Sequence, residues 1–256
     1  MSVLTPTGPV GAGAVVTRAS KRWYKNFAGS AEPIFLAASG AAASGTANAR
    51  NVVIFPGQTT FDGALCMGYN ALGTQTITGP AISALGVDIA QDQADNEGAE
   101  YSGPLTGGGQ VFTVGTDPAF YISVKVRIAD VSGADPFLVG FRKQEAAQAA
   151  YDDYDEAAWI GIVGTAGDIK INTILNNAAS TLTDTTDNAA DATSVTFKVS
   201  VSAAGVVTYQ INGAAPTTTA AFTFDTGEVL IPSIFFLHGT DVAGSVQLET
   251  YDCGHA

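Results

Sequence analysis

Between Phe120 and Ala129 the side chains alternate without a break: Tyr121, Ser123, Lys125 and Arg127 fall on one register, Ile122, Val124, Val126 and Ile128 on the other. A period of two places the aliphatic register on a core and the polar register in water, the signature of a half-buried strand. Shorter apolar or alternating runs follow at Phe137–Phe141, Trp159–Val163 and Ile169–Leu175, each close to Gly, Asp or Asn. Ser194–Ser202 and Gly205–Ile211 alternate again across Ala203-Ala204, and Asn212-Gly213 then supplies a strong turn signal. Glu228–Leu237 and Val246–Tyr251 add two more strands. Only Lys143–Tyr151 (KQEAAQAAY) favours a helix on propensity, and it is short. Strands recurring at this spacing predict an all-β fold, an antiparallel β-sandwich.

The pattern weakens toward the N-terminus. Ala37–Ala49 is rich in Gly, Ala and Ser and keeps no period, so it buries little apolar surface per ordered residue. Residues 1–81 therefore read as an extended arm or appendage and residues 82–256 as the sandwich. Charge sharpens that division. Arg18, Lys21, Arg22, Lys25 and Arg50 stand against one acid, Glu32, in the first 50 residues. The other 206 residues carry six basic and 23 acidic side chains. Within the arm, Arg18, Lys21, Arg22 and Lys25 alternate with Trp23, Tyr24 and Phe27, an aromatic-plus-arginine mixture typical of protein interfaces. These residues are the candidate partner-binding segment.

The chain has 256 residues, long enough for a sizeable core without disulfides or metal. A net charge of −13 argues against nucleic acid as a partner. No run approaches the ~20 apolar residues that span a bilayer, which argues against a membrane segment. Basic residues follow rather than precede the first apolar stretch, Pro9–Val16, the wrong order for a signal peptide. Cys66 and Cys253 read as two reduced structural thiols, although a bridge between them would stabilise the fold by ~4–5 kcal/mol if geometry allowed.

The last third resembles the concanavalin A-like jelly roll shared by legume lectins, laminin-G domains and many glucanases. SVTFKVSVSAAGVVTYQING looks like that family's paired strands, and VLIPSIFFLHGTDVAGSVQLETYD like its closing strands. The Ala/Thr/Gly-rich body, scarce lysine and basic arm also resemble structural proteins of tailed-bacteriophage virions. That second resemblance implies a non-enzymatic capsid decoration or cement protein on the outer surface of the virion. Its arm would contact the major capsid protein or other virion proteins, and a homo-oligomer such as a trimer suits a protein placed on symmetry axes. The alternative is a carbohydrate-binding, lectin-like module of a phage tail or fibre, with a glycan as ligand.

Glucanases of the resembled fold carry acids at i, i+2 and i+4 of one strand, where alternation brings them into one cleft. The nearest match, Asp152, Asp153, Asp155 and Glu156 (DDYDE), presents no such triple in either register. It reads as a solvated acidic loop, with Asp152, Asp153 and Asp155 as Ca²⁺ candidates because clustered carboxylates suit a hard cation. Asp184, Asp187, Asn188 and Asp191 read as turn residues. His238 follows an apolar run and reads as a strand-end histidine with a satisfied ring. Trp159, Phe235 and Phe236 suit a core or, less simply, a sugar groove. No nucleophile elbow or phosphate loop occurs, so no catalytic or cofactor residue is assigned.

Overall fold

The computed structural model describes residues 22–27, 34–36, 51–55, 65–74, 80–83, 85–90, 94–103, 110–164, 166–239 and 243–256. Arg18 and Lys21 lie outside them. Seventeen strands are formed, and no α-helix among the described residues. In chain order they are β1 (Arg22–Asn26), β2 (Ile34–Leu36), β3 (Asn51–Phe55), β4 (Leu65–Leu72), β5 (Ala81–Ser83), β6 (Gly86–Asp88), β7 (Gly98–Ser102), β8 (Phe112–Thr113) and β9 (Phe120–Ile128). Then follow β10 (Ala134–Lys143), β11 (Ala157–Ile162), β12 (Asp168–Ile174), β13 (Thr181–Asn188), β14 (Ser194–Val201), β15 (Val207–Ile211), β16 (Val229–His238) and β17 (Val246–His255).

They build two antiparallel sheets. The seven-stranded sheet runs β15-β14-β9-β17-β6-β5, with β1 also on β17; the ten-stranded sheet runs β13-β12-β11-β10-β16-β7-β4-β3-β2, with β8 on β16. The expected alternation in β9 is realised: Phe120, Ile122, Val124, Val126 and Ile128 are buried and the residues between them half-buried. At roughly 1.5–3 kcal/mol per buried aliphatic side chain, this strand alone accounts for a large share of the core. It faces Phe137, Val139 and Phe141 of β10, and Phe120 packs edge-on against Phe141 with ring centroids 5.0 Å apart.

The boundary at residues 81 and 82 does not separate two sheets. β1 pairs with β17 along its whole length, from Arg22 opposite Gly254 to Asn26 opposite Thr250, and β4 pairs with β7. Phe27, Met67 and Tyr69 are buried in the common core. Averaging over a stretch rich in Gly and Ala hides these short apolar segments. Arg22, Trp23, Tyr24 and Lys25 thus lie in a strand of their own sheet, and Phe27 continues the pairing by donating its backbone N–H to the Glu249 carbonyl at 2.9 Å.

The turn after β15 forms where expected. Asn212 and Gly213 both adopt positive φ, 51° and 85°, and the Asn212 side chain accepts the Thr196 N–H at 2.9 Å. Gly213→Ala is expected to lower stability by about 1 kcal/mol, read from urea unfolding, because a Cβ is strained at that φ although the space around it is open. The expected helix at Lys143–Tyr151 is absent. Its backbone groups are taken by other partners: the Gln144 N–H by the Val229 carbonyl (2.8 Å), the Lys143 and Glu145 carbonyls by Arg142, and the Gln148 N–H by the Tyr154 hydroxyl. Tertiary hydrogen bonds override a weak local preference.

Candidate functional site

The outward face of the ten-stranded sheet carries the unusual chemistry. Residues directly opposite one another in antiparallel strands share a face, so the pairings define rows across it. One row reads Leu182, Asn172, Trp159, Gly140, Ser233, Ser102 from β13 to β7. The row on one side reads Lys170, Gly161, Leu138, Phe235, Glu100 and Asn70. On the other side lie Ile174, Ala157, Arg142 and Ile231. Gly140 and Gly161 flank Trp159. A Cβ on Gly161 would come within 1.9 Å of the Phe137 carbonyl oxygen, so that position admits no side chain unless the backbone shifts.

Although outward, the middle of this face is buried, because the segment from Gln144 to Glu156 folds across it as a strap. Tyr154 and Trp159 pack with their rings 6.1 Å apart, and Tyr151 sits edge-on to Phe235 at 6.1 Å. With Leu72, Leu138, Ala157, Val163 and Ile174 they form a second hydrophobic cluster, separate from the core between the sheets.

Under the strap lies a fully buried ion pair. Arg142 Nε donates to Glu100 Oε1 at 2.5 Å, which also accepts the Ser233 hydroxyl at 2.7 Å. The Tyr154 hydroxyl donates to Glu100 Oε2 at 2.9 Å, and the Arg142 guanidinium lies over the Tyr154 ring, 4.5 Å from its centroid. Burial opposes charge on Arg142, but Glu100, Tyr154 and Glu145 together outweigh it and raise the guanidinium above its ordinary pKa. Burial pushes the Tyr154 phenol up as well, aided by Glu100. Arg142 Nη1 donates to the carbonyls of Lys143 (2.9 Å) and Glu145 (3.0 Å), so the same guanidinium fixes the start of the strap. The row that holds Glu100 ends in β13 at Asp184, exposed and opposite Lys170; Glu100 is the buried carboxylate of these three rows, and three donors already occupy it.

The strap ends at Glu156. Its side chain is buried and both carboxylate oxygens lack a hydrogen-bond partner among the described residues. Burial, then the neighbouring Glu228, raises its pKa to about 7; Asp225 and Asp155 push the same way and Lys143 opposes them.

The acids singled out in the sequence are not brought together. Asp152 and Asp153 are exposed on the strap, while Asp155 faces Lys143 at 3.8 Å. Among the described residues no three His, Cys, Asp or Glu side chains are grouped to hold a metal ion, and Asp152, Asp153 and Asp155 belong to no such group. Asp184 and Asp187 lie in the edge strand β13 rather than in a loop between strands. Asp184 accepts the Thr186 N–H, Asp187 accepts from both the backbone and hydroxyl of Thr217, and Asp191 accepts the Val131 N–H. His238 is buried at the end of β16; its Nδ1 accepts the Ala243 N–H at 3.1 Å, and burial holds its pKa below the ordinary value. Phe236 belongs to the inter-sheet core, whereas Phe235 and Trp159 belong to the outward face. Cys253 is free and buried, which pushes its thiol well above the ordinary range. The side chain of Cys66 lies outside the described residues.

Glu100, Arg142, Tyr154, Ser233 and Asn172 carry no local signature in the sequence. Glu100 and Arg142 are 42 positions apart, Glu100 and Ser233 are 133 apart, and only the strand order joins them.

No protein-family model matches the sequence, and no curated protein does. Solved structures do resemble the fold. A legume lectin-like domain from Entamoeba histolytica aligns with a TM-score of 0.50 at 11% identity, covering 73% of this chain and 90% of that one. The potassium-bound carbohydrate recognition domain of Emp46p aligns with a TM-score of 0.50 at 7% identity over 72% and 87%. The β-glucanase of Bacillus licheniformis aligns over 92% and 99% at 9% identity, with a TM-score of 0.43. At these identities the likeness concerns the fold, a concanavalin A-like β-sandwich.

Proposed function

We propose that the chain is a lectin-type domain that binds carbohydrate without cleaving it. One observation carries this reading: in the buried outward face of the ten-stranded sheet, Trp159 and Asn172 stand opposite each other with polar atoms that have no hydrogen-bond partner among the described residues, near the fully engaged carboxylate of Glu100. Glycoside hydrolysis ordinarily needs two carboxyl groups ~5–9.5 Å apart, one of them free to exchange a proton. Glu100 is locked to Arg142, Ser233 and Tyr154, which suits scaffolding and not proton transfer. Two solved sandwiches of this fold are described as a legume lectin-like domain and a carbohydrate recognition domain, which supports the same reading. The strap adds Tyr151 beside exposed Asp152 and Asp153, an aromatic ring with hydroxyl acceptors. Applied to a glycan array, the full chain is expected to retain a subset of glycans, and EDTA is expected to leave retention unchanged because the acids do not converge. An array with no retained glycan contradicts the reading.

A second reading, a bacteriophage capsid decoration protein, has a different observation in its favour. The outward face is closed by the chain's own strap, with Trp159, Arg142 and Glu100 fully buried, as befits a rigid block placed on a surface. The cations Arg18 and Lys21 would then reach the acidic surface of a neighbouring shell subunit. Removing residues 1–21, which stops short of β1, is expected to abolish occupancy on particles; unchanged occupancy rejects this second reading.

A further inference from the structure

Resting on the carbohydrate reading, we infer that Asn172, Trp159 and Leu182 form the sugar-binding subsite, at the β13 edge of the outward face. Asn172 is fully buried, yet neither its Nδ2 nor its Oδ1 has a hydrogen-bond partner among the described residues. Directly opposite it in the β11–β12 ladder, Trp159 is also fully buried and its Nε1–H is likewise without a partner. Buried polar atoms are nearly always paired, so three orphans in one cross-strand pair mark a place where a partner belongs. Their chemistry selects it. Two kinds of N–H and one amide oxygen match a group that accepts and donates at once, which is the description of a hydroxyl and excludes a carboxylate or an ammonium ion.

The row supplies the rest of the site. Leu182 pairs with Asn172 on the other side and is 44% exposed, so the orphaned amide lies one strand in from solvent. An exposed aliphatic side chain next to buried hydroxyl-binding groups fits the two characters of a sugar ring: C–H bonds on its face, hydroxyls at its edge. The ligand class is therefore a neutral hexose unit entering edge-first from β13, without requiring the Glu100–Arg142 pair to open.

Titration calorimetry of the full chain with laminaritetraose, cellotetraose and mannotriose tests this. The wild type is expected to bind one or more of them. Asn172→Leu, which keeps the size and removes the amide, is expected to weaken that binding at least tenfold, and Trp159→Phe several-fold. The exposed Leu182→Asp variant, which leaves the interior untouched, is expected to weaken it several-fold and keeps the test valid should Asn172→Leu fail to fold. Without sugar, Asn172→Leu is expected to melt higher than wild type, since it removes orphaned groups. Binding by wild type that all three variants retain within twofold overturns this subsite and leaves the carbohydrate reading standing. A higher melting point for Asn172→Leu with no sugar bound by wild type overturns both, and assigns the orphans to an internal water or to strain.

Discussion

Arg142→Ala is expected to destabilise the protein by about 3–5 kcal/mol, the usual cost of leaving one partner of a buried ion pair without the other. The size follows from what remains. Glu100 stays fully buried with only the Ser233 and Tyr154 hydroxyls as donors, and the strap loses both carbonyl contacts made by Nη1. Tyr154 loses the cation above its ring as well. The double variant Glu100→Gln, Arg142→Met removes the charge together with its partner and is expected to recover part of the loss, because burying two charges is itself costly. Urea unfolding monitored by tryptophan fluorescence measures both, since Trp159 lies in the same cluster as Tyr154. A loss below about 1 kcal/mol for Arg142→Ala would mean that water reaches Glu100, and the strap could not then be a sealed cover.

The second large effect is a dependence on pH. Glu156 has a folded-state pKa of about 7, raised from the ordinary 4.5 by burial and by Glu228. A carboxyl raised in the folded state binds its proton more tightly there than in the unfolded chain. Its stabilising contribution is therefore complete below about pH 4.5 and disappears as pH rises through about 7. The full shift would correspond to roughly 3 kcal/mol, and solvent screening at this end of the sandwich reduces the expected loss to about 1–2 kcal/mol. Glu156→Gln keeps the shape and abolishes the titration. Unfolding free energies at pH 4.5, 6, 7 and 8 should show the variant gaining on wild type across that window and then levelling. A difference independent of pH would show that Glu156 is hydrated and ordinary.

These two groups also show where the sequence is transparent and where it is opaque. β9, β14 and β17 are legible because strict alternation needs only neighbours in sequence, and the burial of β9 follows the apolar register residue by residue. The Asn212-Gly213 turn is legible because positive φ selects those residue types. β4 and β7 are not, since LCMGYNAL and GAEYS are rich in small residues and keep no strict alternation, and β7 is buried along its whole length. The run from Lys143 to Tyr151 misleads for a related reason: its alanines favour a helix, while Arg142 and Tyr154 recruit its backbone from outside. The acidic loop was visible, but its role was not. Asp152 and Asp153 stay in water, and the neighbouring Glu156 and Tyr154 turn inward to the groups that strand order places there. Asn172 resembles any polar strand residue until the ladder sets it opposite Trp159.

The outward face is proposed to recognise carbohydrate and to perform no chemistry on it. Native mass spectrometry of the full chain incubated with laminaritetraose, cellotetraose and mannotriose addresses this in one spectrum. The expected result is a complex at the mass of protein plus one intact oligosaccharide, with no shortened sugar in solution after prolonged incubation. Protein free of adduct at every sugar concentration, or the appearance of shortened products, would contradict it.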